Sequence, residues 1–245
     1  MKTALRVGDS TSPLGRAKRR QIGPKARIIL PLDHLPDFRA DLLSMEADAI
    51  YEKWIACEEC RGTIDFDVTH MRETIAQEFR VEVNAVKLVG SAKLGFTILD
   101  KRRHSVVAGR EQQRRLATDH RPMFSEFDVS SDVDVAIVSF ELFEDIWKQC
   151  FQYWGLTEFN DEPAWPKGRE FRDYFFRGWM RPDKLPTGGA FPYSNYWFDY
   201  FRQQTSNRLA GDFKITAGLY RDEDFLRHYQ AIAIRKCAIA IRAPQ

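Results

Sequence analysis

The 245-residue sequence predicts an α+β fold with α/β character, in which helices flank a small mixed sheet. Three observations lead to this prediction. Several segments repeat apolar residues at spacings of three and four, which is typical of amphipathic helices. Two segments, "AVKLV" at 85–89 and "SDVDVAIVSF" at 131–140, have the apolar character of buried strands. No internal repeat is visible, and the length allows one large domain or two small ones.

The elements of the first half follow from apolar spacing and from glycine. Residues 37–62 and 67–80 each place apolar side chains on one helical face, which predicts two helices. The strand at 85–89 then runs into Gly90, and a short helix is predicted to follow it. Residues 99–126 are basic and aperiodic, so they are interpreted as an insertion.

The second half combines helices with two further strands. The clearest strand is 131–140, where acidic residues alternate with valine before a continuous apolar run. Prolines and glycines predict a loop at 181–192. Helices are predicted at 141–154, 169–180, 194–209 and 222–241, and a strand at 213–220.

Composition divides the chain into three regions. Residues 1–30 mix glycine, proline, serine and basic residues without periodicity, which predicts a flexible basic arm. Residues 31–140 form the predicted core, which includes the basic insertion at 99–126. Residues 141–245 form a helical region, whose strand at about 213–220 is expected to complete the core sheet.

Positive charge is concentrated in two segments although the net charge is only +2. Residues 1–30 hold eight Lys and Arg against one Asp, and residues 101–121 hold seven against two acids. Such segregation favours RNA or DNA as a partner. The alternative is a solvated arm and loop without a ligand.

Other features limit the class of protein. No apolar run approaches the roughly 18 residues of a membrane span, and the first residues lack the apolar core of a signal peptide. The pair Cys57 and Cys60 has no matching second pair, which disfavours a zinc site. A cytoplasmic protein with reduced thiols and no membrane partner is therefore expected.

The acidic pair at the start of the second strand carries the strongest chemical signal. Asp132 and Asp134 project from the same face of the strand, with Cα atoms about 6.5–7 Å apart. Neighbouring carboxylates repel each other, so such a pair indicates a cation beside it. Hard oxygen ligands select Mg²⁺ or Mn²⁺. The alternative is an exposed strand end without a metal.

The segment "KLVGSAKLG" at 87–95 supplies a complementary group. Gly90 would let the backbone approach a phosphate, and Ser91 would donate to a phosphate oxygen. Lys93 would add positive charge, and Gly95 would permit close packing of helix on sheet. An ordinary tight turn is the alternative. Combined with the acidic pair, the segment predicts a site for a triphosphate and its magnesium ion.

These two segments together resemble the DNA polymerase β-type nucleotidyltransferase superfamily. The shared signature is an apolar residue, Gly-Ser, and then an acid–apolar–acid–apolar strand, and the likeness covers residues 67–140. It implies that Gly90 and Ser91 contact the triphosphate and that Asp132 and Asp134 bind the metals. Such enzymes join an acceptor hydroxyl to the α-phosphate of a nucleoside triphosphate and release pyrophosphate.

The sequence departs from the family at the third carboxylate, which the family carries on a later strand. The candidate strand, "DFKITAGLY" at 212–220, has Lys214 and Thr216 on one face and no acid inside it. Asp212 at its start is the preferred candidate for the third catalytic acid, and Asp128 is the second choice. The connection between the two motifs is also longer than the family's, because of the basic insertion.

The resemblance implies a magnesium-dependent, ATP-binding or other NTP-binding nucleotidyltransferase that modifies an RNA end, a protein or a small molecule. A bacterial toxin–antitoxin or phage-defence setting would suit such an enzyme. The alternative is a catalytically impaired nucleotide- or RNA-binding module of the same fold, which the missing acid motivates. A nucleotide-sugar glycosyltransferase is disfavoured by the elements before the acidic pair. Aromatic residues of the second half, Trp179 among them, are expected in the core, with one of them stacking on the base.

Overall fold

A computed structural model of the chain describes residues 32–58, 60, 65–102, 120–128, 130–158, 165, 167–186, 191 and 193–243. The predicted basic arm and most of the basic insertion lie outside the described residues. Within them the α+β class is confirmed, since helices surround a mixed sheet.

The described residues include eight α-helices and six strands. The helices are α1 Leu35–Ser44, α2 Ala47–Tyr51, α3 Val68–Phe79, α4 Gly90–Leu94, α5 Phe140–Glu158, α6 Gly168–Phe175, α7 Tyr193–Ser206 and α8 Glu223–Arg242. The strands are β1 Val86–Val89, β2 Lys101–Arg102, β3 His120–Arg121, β4 Asp132–Val138, β5 Trp179–Met180 and β6 Lys214–Tyr220. A π-helical turn covers Glu52–Ala56, and 3₁₀ turns cover Val83–Ala85 and Pro182–Lys184.

The central sheet has the strand order β1-β4-β6-β5. Strand β4 pairs antiparallel with β1 and parallel with β6, and β5 pairs antiparallel with the other side of β6. The short strands β2 and β3 form a separate antiparallel ladder. Strand β6 therefore lies beside the acidic strand, although more than seventy residues separate them in the sequence.

One side of the sheet, here called the closed face, is apolar. It consists of Val133, Val135 and Ile137 of β4 with Ile215 and Leu219 of β6, all buried. Helices α3, α5 and α7 cover it. Their buried side chains include Met71, Ile75, Phe143, Ile146, Trp197 and Phe201.

The other side, here called the open face, carries Asp132 and Asp134 of β4 and Lys214, Thr216 and Gly218 of β6. Farther along the strands this side is packed, because α1, α2 and α8 enclose Ala136 together with the apolar end of β6. Beside these helices a cavity remains on this side, and its wall includes Asp134 and Thr216 as well as Gly218 and Tyr220.

Two helix predictions differ from the structure. The long helix expected at 37–62 is divided, because Met45 adopts extended backbone (φ −115°, ψ 157°) between α1 and α2. The helix expected at 169–180 ends at Phe175, and its last two residues form β5 instead. Gly178 has φ +63° and reverses the chain there, a conformation that ends a helix. None of the described helices is long and apolar enough to span a bilayer.

Candidate functional site

The Gly-Ser turn and the acidic strand meet at the open face. Val89, the last residue of β1, is the register partner of Asp134. The next residue, Gly90, has φ +66°, and a Cβ built on it would lie 2.8 Å from Asp134 Oδ2. Any other residue would be strained by the backbone angle, and its Cβ would force the Asp134 carboxylate to shift. The turn therefore favours glycine where it approaches Asp134.

Ser91 follows directly and is buried, with 3% of its surface exposed. Its hydroxyl has no hydrogen-bond partner among the described residues. Ser91 lines a cavity of about 460 Å³, together with Asp134 and Thr216. A buried hydroxyl without a partner is uncommon in native structures, and it commonly indicates a ligand or a water. Ser91 thus fits the phosphate-binding role that the sequence predicts for it.

Asp132 and Asp134 start β4 on the same face, as the alternation predicts, but their surroundings differ. Asp134 lines the cavity, and Thr216 Oγ1 donates to its Oδ1 at 2.6 Å. Asp132 lies two residues nearer the strand start, and Lys214 Nζ stands 3.4 Å from its Oδ2. The Asp132 side chain is 43% exposed, so the lysine ammonium and water share its charge.

The register shows what lies opposite the two aspartates. Lys214 is the partner of Asp132, and Thr216 is the partner of Asp134. A carboxylate on β6 at either position would stand beside the acidic pair, so these are the positions where a third acid is expected. A cation and a hydroxyl occupy them instead.

Neither candidate for the third acid lies in the cavity wall as described. Asp212 precedes β6, is largely exposed, and pairs with Arg208 at 3.2 Å. Asp128 accepts hydrogen bonds from Ser130 and pairs with Arg121 at 2.9 Å. Burial raises the pKa of Asp128, but these bonds and the arginine charge outweigh burial and hold it below its usual range. Asp128 therefore stabilises the loop before β4.

The structure does not bring Lys93 to the cavity. Its side chain is buried, with 4% of the residue exposed, and its ammonium donates to the carbonyl of Cys57 behind α4. Gly95 has φ +86° and ends α4, a left-handed helix end that favours glycine. Of the predicted phosphate-binding residues, the structure brings Gly90 and Ser91 together with Asp134.

The far end of the cavity is aromatic. Trp179 and Tyr220 are register partners. Their ring centroids lie 5.8 Å apart, and their ring planes are nearly parallel, with an angle of 3° between them. Tyr229 of α8 packs on Trp179 at 4.5 Å. Burial raises the pKa of Tyr220, and the nearby Asp134 carboxylate raises it further. The charge of Asp134 at the acidic end therefore acts on Tyr220 at the aromatic end of the same cavity.

An ion pair borders the aromatic end. Arg181 donates from Nε and Nη2 to the two carboxylate oxygens of Asp183, each at 2.9 Å. Its guanidinium also lies over the rings of Tyr174 and Trp179, at 4.7 and 5.4 Å. Burial raises the pKa of Asp183, but the guanidinium outweighs burial and holds it below its ordinary value.

Sequence reasoning missed this aromatic end because it assigned Trp179 to a helix. Inside a helix the indole would join a hydrophobic stripe, whereas in β5 it lies at a sheet edge beside the cavity. The sequence signal that the helix ends before Trp179 is Gly178, which follows "FFR" and breaks the helical pattern. Gln230, 7% exposed and also in the cavity wall, had no recognisable signal.

The donor set suits a hard divalent ion. Asp132 and Asp134 offer carboxylate oxygens, and the hydroxyls of Ser91 and Thr216 lie in the same cavity wall as Asp134. Among the described residues, no group of three or more His, Cys, Asp or Glu side chains could hold a metal. A Mg²⁺ or Mn²⁺ ion there would therefore need phosphate oxygens or water to complete its coordination.

Comparison of the chain with protein-family models, with curated proteins and with solved structures gives no match.

Proposed function

We propose that the protein is a magnesium-dependent nucleotidyltransferase of the DNA polymerase β type, which transfers NMP from a nucleoside triphosphate to an acceptor. The observation that carries the proposal is the approach of Gly90 to Asp134. It brings Ser91, whose buried hydroxyl has no partner among the described residues, into the same cavity wall as Asp134. The two motifs that suggested the superfamily are far apart in the sequence, and their meeting supports a joint role.

Each residue has a defined task in this proposal. Ser91 donates its hydroxyl hydrogen to a phosphate oxygen, and the glycine before it keeps the carboxylate free of steric obstruction. Thr216 holds Asp134 through the 2.6 Å hydrogen bond, so that Oδ2 faces Gly90. Mg²⁺ or Mn²⁺, when held by Asp132 and Asp134, would neutralise the phosphates. Catalysis would then rest on alignment and charge neutralisation: the acceptor hydroxyl releases its proton to solvent, its oxygen bonds to the α-phosphorus, and the bond from that phosphorus to the bridging oxygen breaks as pyrophosphate leaves.

For the acceptor we propose a chemical class, a molecule with a free hydroxyl, and not one particular molecule. An RNA end, a protein or a small molecule each offers a suitable hydroxyl, and the basic segments 1–30 and 101–121 favour nucleic acid. Such an activity would suit toxin–antitoxin or phage-defence systems, by analogy with the superfamily.

The test is transfer of label from each α-labelled NTP to total RNA and to cell lysate, with Mg²⁺ or Mn²⁺. Asp134→Asn should lower transfer at least about a hundredfold, since loss even of a group that only supports a metal ligand often costs tenfold to hundredfold. Asp145→Asn is the matched control, because Asp145 is an exposed carboxylate on α5. Equal transfer by both variants would remove Asp134 from the site.

A second candidate is a nucleotide- or RNA-binding module that has lost catalysis. The specific observation that favours it is the occupation of both positions opposite the aspartates by Lys214 and Thr216. In that case the wild type binds NTP in a way that depends on Ser91, yet transfers no label to any acceptor. Thr216→Asp would then test whether a restored acid increases Mg²⁺ affinity.

A further inference from the structure

Two residues at different places in the wall of the same cavity carry buried donors that lack partners among the described residues. Besides the Ser91 hydroxyl, the indole N–H of Trp179 has no hydrogen-bond partner within the described part of the chain. The first lies next to the residue that approaches Asp134, and the second lies over Gly218. Buried donors without partners are rare, so a ligand with acceptors at both places would account for both.

The indole of Trp179 is held in a fixed position. Tyr220 and Tyr229 pack against it, and the Arg181 guanidinium lies over its ring at 5.4 Å. The edge that carries Nε1 lies over the backbone of β6, where a Cβ on Gly218 would be only 2.6 Å from Nε1. Gly218 thus provides the space for this edge, and the rings around the indole prevent it from turning away.

The chemistry of this end suits an uncharged ring better than a phosphate. Arg181, the cation in the described cavity wall, is neutralised by two hydrogen bonds to Asp183. The side chain of Gln230 adds an amide that can both donate and accept. Elsewhere the cavity wall includes apolar side chains, among them Phe96, Ile98 and Leu99.

We infer that the Trp179 end of the cavity binds the nucleobase of the nucleotide, with the indole N–H donating to an acceptor on the base edge. This inference rests on the proposed function, which places the triphosphate at Ser91 and Asp134. Gly218 is two residues from Thr216 along β6, which is about 6.5–7 Å. That separation leaves room for the ribose between the base and the phosphates.

The test compares ligands that differ only in the base. Binding of the four NTPs, of ribose 5-triphosphate and of the four nucleosides is measured by calorimetry with Mg²⁺ present. Trp179→Phe removes the donor and keeps a ring, and Gly218→Ala displaces the indole edge. The controls are Trp147→Phe, a half-exposed indole on α5, and Gly155→Ala, where an added Cβ meets nothing within 4 Å. Thermal unfolding shows whether each variant is folded.

The expected result is that at least one NTP binds the wild type about tenfold more tightly than ribose 5-triphosphate, the size of one hydrogen bond with some ring contact. Trp179→Phe and Gly218→Ala should abolish this difference and leave ribose 5-triphosphate binding unchanged, and the controls should preserve it. Equal binding of NTPs and ribose 5-triphosphate by the wild type overturns the base site but not the triphosphate site. Nucleoside binding that depends on Trp179, without any binding of triphosphates, overturns the proposed function and keeps the base site. No binding of any ligand overturns both.

Discussion

The two faces of the central sheet are made by the same strands and serve different purposes. On the closed face, β4 and β6 present aliphatic side chains beneath three helices, all of them buried except the partly buried Ala217. On the open face, the same strands present two carboxylates, a lysine, a threonine and a glycine beside a cavity. Alternation along a strand allows this division, because neighbouring residues face opposite sides.

This difference separates the part of the sheet that supplies stability from the part where we propose that a ligand binds. Buried aliphatic groups on the closed face supply hydrophobic free energy, whereas the open face holds like charges and unsatisfied donors that cost free energy. An arrangement that costs stability persists in a folded protein when it serves a ligand, which is the reasoning behind the proposed site. Substitutions on the two faces test this division, because they should differ in their effects on stability and on binding.

The largest effect is expected from Ile137→Ala on the closed face. Ile137 is fully buried, and its truncation should lower the free energy of unfolding by about 2–5 kcal/mol. Asp134→Asn, three residues away on the open face, should change it by less than about 1 kcal/mol while abolishing Mg²⁺-dependent binding. Urea unfolding of both variants measures the change in the free energy of unfolding for each. A larger loss from the aspartate variant would contradict the division.

The sequence predicted the closed face and one end of the cavity for an identifiable reason. Valines alternating with aspartates in β4 determine which side is apolar, and Gly-Ser after β1 is a local pattern with a known use. The position of β6 beside β4 depends on long-range packing, so its Lys214 and Thr216 could be listed but not placed opposite the aspartates. The indole of Trp179 was missed because the local pattern before it is helical.

The next effect is expected from Gly90→Ala. The backbone angle of +66° is strained for alanine, and its Cβ would lie 2.8 Å from Asp134 Oδ2. We expect a loss of about 1–3 kcal/mol in the free energy of unfolding, together with loss of triphosphate binding. Gly155→Ala lies on a helix in open space, and it should keep both properties. Unaltered triphosphate binding by Gly90→Ala would show that the turn is merely structural.

A smaller effect is expected from Thr216→Val, which removes the donor to Asp134 Oδ1. The free energy of unfolding should fall by about 1 kcal/mol, the typical contribution of one hydrogen bond. Mg²⁺ binding should weaken at the same time, because Asp134 loses the contact that orients it. Thr216→Ser retains the hydroxyl and should restore metal binding. If serine and valine behave alike in a calorimetric Mg²⁺ titration, the hydrogen bond does not orient the carboxylate.

The smallest effect concerns the ion pair at the aromatic end and depends on pH. Burial raises the pKa of Asp183, but the Arg181 hydrogen bonds and charge lower it more, so the folded protein holds this carboxyl below its ordinary value. The unfolded chain therefore binds the proton more readily, near the ordinary pKa of about 3.9, and the stabilisation is complete above that pH. It is lost as the pH falls through the lower pKa of the folded state.

Asp183→Asn should accordingly be less stable than the wild type at pH 7, by up to about 1 kcal/mol because the pair is partly exposed. The gap should begin to close as the pH falls below about 4, where the unfolded chain binds the proton, and it should vanish once the pH has fallen through the lower pKa of the folded carboxyl. Chemical denaturation between pH 2.5 and about 7 measures the gap, and Asp145→Asn provides a control without the arginine contact. A gap that stays constant across this range would mean that Asp183 acts through its shape and not through its charge. The neutrality of the aromatic end, on which the base site depends, would then need another source.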